Sequence, residues 1–575
     1  MKRKILALSL AALLLFTGCG KRTGTSGTMT AAANAVRYVT SDVFTERDRD
    51  AAYENAVTVT LNGGSASCGD DGVSIDGSTV NIVKAGVYLL TGRLTGQVAV
   101  AVGENDKVQI VLSGAAITAK DGAAILVTSA DKVFLTLAAG TENTLTSTAL
   151  SDDSIDGVIF SKEDLTIGGS GALTVTSPNH GIVCKDDLKI TGGTLTVTAA
   201  GHGIDANDSA DITGAVLNVT AERDGIHVEN TEEADKGFFY MESGTVTVTA
   251  GTDGVSASSY AQIDGGVLTV TAGGGAANAE QKVKMTRPGQ QTTETSSSVS
   301  AKGLKAGAAI SVTGGSLTFD TADDALHANG NIDISGGVIE AATGDDGIHA
   351  DDTLTVTAGS AEITESYEGL EAQVICINGG DIRIKASDDG LNAAGGTDGS
   401  GMQGPFGENF GGDSDASITI AGGKLVIDSD GDGVDANGTV AVTGGVTLVS
   451  GATNNGNAAL DYDGAAYVTG GVFIATGMSG MAQNFSSASE QASVIAAISA
   501  QQGGTSVALV DGSGKVIACF TPEKSYNCVL FSSPDITAGG SYTVMVGGTA
   551  DGADENGFAT GAALTGGTSA AAVTA

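Results

Sequence analysis

The stretch Asp345-Asp346-Gly347-Ile348-His349-Ala350, read on to Ser366, decides the fold. It is preceded by Asp323-Asp324-Ala325-Leu326-His327-Ala328 and followed by Tyr367-Glu368-Gly369-Leu370-Glu371-Ala372, and Asp388-Asp389-Gly390-Leu391-Asn392-Ala393 opens a fourth copy. The units 323–344, 345–366 and 367–387 are 22, 22 and 21 residues long. Within 345–366, Ile348 begins one short strand. Leu354 and Val356 alternate with threonines in a second, and Ala361 and Ile363 point inward from a third. Period-2 alternation buries one face of each strand. Three short strands cannot bury that face alone, but stacked copies can. The pattern predicts an all-β chain, a right-handed single-stranded parallel β-helix of 21–22 residues per coil, with handedness taken from the general rule for parallel crossovers. Looser copies begin near 156, 180, 202, 224, 253, 302, 432 and 458. With weaker candidates they make about fourteen coils, a rod on the order of 65 Å at ~4.8 Å between strands.

The flanks divide the rest. Met1-Lys2-Arg3-Lys4, the apolar run Ile5–Phe16 and Thr17-Gly18-Cys19 form a secretory signal with a lipobox-like cut, so 1–19 is expected to be a lipoprotein signal peptide and Cys19 the acylated residue. Residues 20–50 are expected to be a flexible tether and 51–481 the β-helix, with loop insertions near 273–301 and 395–416. Four strand-like runs (Val507–Val510, Val516–Phe520, Val529–Phe531, Tyr542–Val546) predict a small antiparallel β cap over 482–547. The Gly/Ala/Thr-rich 548–575 reads as a disordered tail. This organisation places the protein on the extracellular face of the cell membrane, held by lipid alone, as a monomer. Cys519 and Cys528, nine residues apart, are spaced for a hairpin disulfide. There is no Cys-x-x-Cys pair to suggest zinc.

Lys plus Arg number 28 against 67 Asp plus Glu, a formal charge of −39. Binding nucleic-acid phosphates needs a basic face, so nucleic acid is excluded as a partner. In a stacked fold a sequence position becomes a physical column. One column holds Asp224, Asp253, Asp324, Asp346, Glu368, Asp389 and Asp432, flanked by Asp323, Asp345 and Asp388. Carboxylates ~4.8 Å apart repel by roughly 3.5 kcal/mol per pair at an effective dielectric of 20. Backbone N–H donors, protonation or a hard cation can relieve this. Calcium suits flexible sets of carboxylate and carbonyl oxygens, so Asp323, Asp324, Asp345, Asp346, Glu368, Asp388 and Asp389 are its expected ligands. A second column, two residues after the motif Gly, includes His227, His327, His349, Glu371 and Asn392. It follows an inward apolar residue and is expected to face outward. With Tyr367 beside it, His327, His349, Glu371 and Asn392 make a stripe suited to sugar hydroxyls, and polysaccharide is the expected partner. His327 over His349 also offers two imidazoles to a transition metal, without an evident third ligand.

Several stretches resemble a known family. They are Asp131–Leu137 with Gly140–Leu145, Phe160–Leu165, Asp345–Ala350, Ser366–Glu371, Ser387–Asn392, and Thr453–Asn457 running into Leu460–Asp463, together spanning roughly 57–547. The resemblance is to bacterial cell-surface carbohydrate-binding parallel β-helix proteins, related in fold to polysaccharide lyases and binding cellulose or polygalacturonate-like chains with calcium. It implies non-catalytic, calcium-assisted binding of acidic pectin-like or cellulosic chains. No ligand residue is carried over from it. His180 and His202 replace the acidic residue in their coils, which puts calcium there in doubt. The rival readings are a calcium-dependent polysaccharide lyase or hydrolase on the same fold and a structural or adhesive surface rod; a lyase pairs calcium with a Lys or Arg base, for which Arg223, Lys302, Lys305 and Arg383 are the candidates.

Overall fold

A computed structural model describes residues 36–40, 43–279, 300–394 and 415–575. Cys19 and most of both loop insertions lie outside the described residues. The described chain is nearly all β, and most of its strands belong to one long, mostly parallel sheet.

Through the central repeats, each strand pairs with the strand three further on. Ile204–Ala206 pairs in parallel with Ile226–Val228, which pairs with Val255–Ala257. Thr194–Ala199 pairs with Val216–Ala221 and then with Thr245–Ala250. His327 lies opposite His349, and His349 opposite Glu371. The 22-residue period is thus the pairing register itself, an arrangement compatible with a parallel β-helix. The inward residues read from the alternation are buried: Ile348, Leu354, Val356, Ala361 and Ile363 all belong to one continuous apolar core.

The motif glycine has a packing reason. A Cβ at Gly347 would stand 2.4 Å from Ile363 Cδ1 and 2.6 Å from the Gly369 carbonyl oxygen. The backbone there passes too close to its neighbours for a side chain to fit without a shift.

Two peripheral expectations are corrected. Residues 36–50, read as flexible tether, include an ordered strap in their described part. It runs down one outward column of the sheet, from Ser311 to Gln109. Ser311 Oγ donates to Val36 O (2.6 Å), and the Gln262 side-chain oxygen accepts from Tyr38 and Val39 N–H (2.8 Å each). Lys189 Nζ donates to Val43 O at 2.5 Å, and buried Asp48 pairs with Lys132 Nζ at 2.8 Å. Gln109 Nε2 closes the series on Ala52 O at 3.1 Å. Val39 and Phe44 pack against Tyr240. Composition misses this strap because main-chain groups and scattered ion pairs hold it rather than an apolar period.

The tail 548–575 is not structureless. Thr568–Thr574 pairs antiparallel with Ser541–Val546 in a four-stranded sheet that also holds Val507–Val510 and Val516–Phe520. Its Ala571 and Val573 pack on the cap core. An Ala/Thr-rich edge strand is held chiefly by its ladder hydrogen bonds, so its hydrophobic signal is faint.

The Cys519–Cys528 bridge is likewise absent. Both cysteines are buried thiols. Cys519 sits in the four-stranded sheet with Sγ 3.1 Å from the Gly557 carbonyl, whereas Cys528 lies on Tyr526–Ser532, which pairs with Val472–Gly477 and Ser493–Gln501. Nine residues of sequence carry the chain from one sheet to the other.

Candidate functional site

The acidic column is a hydrogen-bonded ladder. One carboxylate oxygen of Asp224, Asp253, Asp324, Asp346, Asp389 and Asp432 accepts the backbone N–H at the matching position of the next repeat. Asp253 N donates to Asp224 Oδ1 (3.1 Å), Lys302 N to Asp253 Oδ1 (2.9 Å), Asp346 N to Asp324 Oδ1 (2.9 Å) and Glu368 N to Asp346 Oδ1 (3.2 Å). Asp432 N to Asp389 Oδ1 (2.5 Å) and Ala458 N to Asp432 Oδ1 continue it. The repeating turn leaves one N–H per repeat without a ladder partner, and an acidic side chain satisfies it.

The second carboxylate oxygen separates the column into two halves. In the upper half, from 224 to 371, it meets a built-in cation or an imidazole. Lys305 Nζ is 3.2 Å from Asp253 Oδ2. Lys302 Nζ lies 2.7 Å from Asp324 Oδ2 and 2.9 Å from Asp323 Oδ1. His327 Nδ1 is 2.8 Å from Asp324 Oδ2, and His349 Nδ1 is 3.0 Å from Asp346 Oδ2 and 3.1 Å from Glu371 Oε2. Burial works against ionisation of Asp324, but Lys302 and then His327 hold it well below the usual carboxylate range. Burial and Asp345 push Asp346 up. Although burial opposes it, Asp346 and Glu371 push His349 up to about 12, so the imidazole keeps its proton at neutral pH.

In the lower half, among the described residues, no lysine, arginine or histidine forms an ion pair with Asp389, Asp432, Asp435 or Asp461. Burial and Glu368, Asp435 and Asp432 push Asp389 well up. Asp432 rises to about 6 through burial and Asp461, and Asp435 to about 7 through burial, Asp432 and Asp461. Asn392, in register with Asp435 and only 3% exposed, gives its amide N–H to Glu368 Oε2 at 2.5 Å, and its Oδ1 has no hydrogen-bond partner.

The structure brings the expected sugar stripe together as a column but does not expose it. His327, His349, Glu371 and Asn392 are buried, and Tyr367 alone of the five is half-buried. The expectation equated facing away from the core with facing solvent. In a parallel stack each outward side chain is covered by its copies above and below, as the His327 and His349 rings, 4.8 Å apart, show. Their work is to partner the acidic column.

The expected calcium ligands also divide. Asp323 and Asp324 share the Lys302 ammonium, and Asp346 shares a proton-bearing imidazole, so a hard divalent ion does not fit there without displacing a resident charge. Asp388 and Asp389 border the lower half, where carboxylates and the unpartnered Asn392 oxygen form an all-oxygen donor set of the kind calcium takes. Asp432, Asp435 and Asp461 are the lower-half members left out of the expected ligand set; the signal for them is the repeat itself, which puts Asp432 in the acidic column and Asp435 and Asp461 in register with Asn392. Of the four lyase-type candidates, Lys302 is buried between two carboxylates, Lys305 pairs with Asp253, Arg383 is held by Asn556 at 2.8 Å, and Arg223 is exposed.

The profile of a family described as carbohydrate-binding domain-containing protein matches residues 76–347 and 345–502. The chain belongs to this family. The matches of the carbohydrate-binding domain family together take in both halves of the acidic column. A family relative from Acetivibrio thermocellus, itself described as a carbohydrate-binding domain-containing protein, is 41% identical over 267 residues, 45% of this chain and 86% of its own length. A solved structure, the polysaccharide lyase-like protein from C. thermocellum in a gadolinium derivative, shares 35% identity, covers 38% of this chain and 92% of that one, and has a TM-score of 0.37.

Proposed function

We propose that this protein binds polysaccharide without cleaving it, with calcium as the bridge, on the extracellular face of the bacterial membrane. The observation that carries the reading is the lower acidic half, a stack of carboxylates with no cation of its own inside a chain of the carbohydrate-binding domain family. The ladders close as a right-handed parallel β-helix, and the protein works as a monomer anchored by lipid on Cys19. Asp389, Asp432, Asp435 and Asp461, with Asn392 Oδ1, hold the ion.

Charge chooses between ligand classes. A chain carrying −39 repels a polyuronate unless a divalent ion bridges the two sets of carboxylates. A cellulosic chain is neutral and needs no bridge. Calcium supplies charge neutralisation and a coordination site for a sugar carboxylate, while the protein's residues hold the ion and keep the stack in register. Non-catalytic binding is supported by the ion pairs of Lys302 with Asp324 and of Lys305 with Asp253, which engage both ammonium groups within the protein.

Affinity electrophoresis of the full chain in polygalacturonate and in soluble cellulosic gels, with calcium or with EDTA, tests this. Retardation in polygalacturonate that disappears with EDTA is expected. Retardation indifferent to EDTA removes calcium from the account, and growth of unsaturated uronide absorbance makes the protein a lyase.

A further inference from the structure

The three histidines at 180, 202 and 227 stack at the upper end of the acidic column, beside Asp224. Their rings stack, His180 on His202 at 4.9 Å and His202 on His227 at 4.5 Å between centroids. His180 behaves as the acid it replaces: its Nδ1 accepts the backbone N–H of His202 at 2.9 Å, as Asp324 accepts that of Asp346. His202 does not. Its Nδ1 is buried and has no hydrogen-bond partner, although Asp224 Oδ2 lies 3.4 Å away. The same oxygen is 2.9 Å from His227 Nδ1. The other oxygen of Asp224 is already engaged by Asp253 N–H and the Thr252 hydroxyl.

We infer that His202, His227 and Asp224 form a binding site for a divalent transition metal of zinc type. Ligand atoms from the three residues all lie within 4.8 Å of one another. Donors on a tetrahedral zinc with bonds of ~2.0–2.1 Å stand ~3.3–3.4 Å apart, close to the 3.4 and 2.9 Å found between each imidazole nitrogen and Asp224 Oδ2. The His202 and His227 ring planes differ by 20°, and rotation about the broad imidazole χ2 torsion turns both lone pairs toward a shared ion. His227 Nε2 lies 3.4 Å from Glu229 Oε2, the outer carboxylate contact that orients a ligating imidazole. The three side chains are 12–22% exposed, which leaves room for an entering ion and a water as fourth ligand. The two-nitrogen, one-oxygen donor set favours zinc, nickel or copper over calcium.

Resident charge favours this trio over the other histidine clusters. Among the described residues, Asp224 pairs with no lysine or arginine, and its free oxygen faces the two imidazoles. His349, by contrast, is held cationic by Asp346 and Glu371, and Asp324 beside His327 already holds Lys302.

The test is isothermal titration of the full chain with Zn²⁺ in saturating calcium, which fills the lower half of the acidic column. One zinc per chain is expected. His202→Phe and His227→Phe keep the ring stack but remove the nitrogens, and each should weaken zinc binding at least tenfold. His327→Phe should leave it unchanged. Equal zinc affinity in His202→Phe, or loss in His327→Phe, overturns the site. Should a variant not fold, zinc-edge X-ray absorption on the unaltered protein decides: two imidazoles with oxygen support the site, and sulfur ligation or an all-oxygen shell refutes it.

Discussion

The two halves of the acidic column face one electrostatic problem and solve it differently. Above Glu371 the chain supplies its own cations, with Lys305 on Asp253, Lys302 on Asp323 and Asp324, and His349 between Asp346 and Glu371. Below it, among the described residues, Asp389, Asp432, Asp435 and Asp461 stack with only backbone N–H groups and amides for company. An internal cation makes a ladder that is complete as folded. Its absence leaves a ladder that is strained until a proton or a metal arrives. On the proposed reading, the difference separates a structural stretch from a binding stretch within one repeat pattern.

The sharpest way to break the comparison is to remove the upper cation. Lys302→Met leaves Asp323 and Asp324 facing each other, one of them fully buried. Losing one partner of a buried pair costs about 3–5 kcal/mol. Denaturant unfolding should show that loss and should show calcium restoring part of it; a loss below about 1 kcal/mol would mean the ammonium is dispensable.

The lower half should respond to pH in the opposite sense to an ordinary ion pair. Asp432 and Asp435 rise on folding to about 6 and about 7 from an ordinary 3.8, so between those values the folded chain binds more protons than the unfolded one. Stability therefore falls as pH rises through that window, by on the order of 3 kcal/mol per group. Unfolding in EDTA at pH 5 and at pH 8 should show the drop, and calcium should flatten it. A calcium-free protein equally stable at both values would sink the idea of a strained ladder.

Asp435→Asn relieves the repulsion without a cation. It should stabilise the calcium-free protein at pH 8 by roughly 1–2 kcal/mol while weakening calcium binding by calorimetry. The smallest expected effect is at the border: Asn392→Ser loses the amide bond to Glu368 and costs about 1 kcal/mol, with a measurable fall in calcium affinity.

The repeat was legible because its period is written in side chains. Leu326, Ile348, Leu370 and Leu391 recur at the spacing at which their strands pair. The acidic column was legible for the same reason. What its members contact was not, since Lys302 reaches Asp324 across a repeat boundary and Asn392 reaches back to Glu368. Alternation gives the direction of a side chain relative to the core, but not whether a neighbouring copy covers it, and so His349 reads as outward while being fully buried. The strap and the edge strand Thr568–Thr574 escaped because backbone groups hold them, and backbone groups are common to every residue.

The strap bears on how the protein comes apart. Stacked repeats touch only their neighbours, so such arrays tend to fray from the ends and lose units piecemeal. Residues 36–52 break that locality: their contacts run from Ser311 through Gln262, Lys189 and Lys132 to Gln109. Every repeat between those points shares one clasp, and none can open without loosening it. This N-terminal stretch thereby makes that span melt as a single cooperative block.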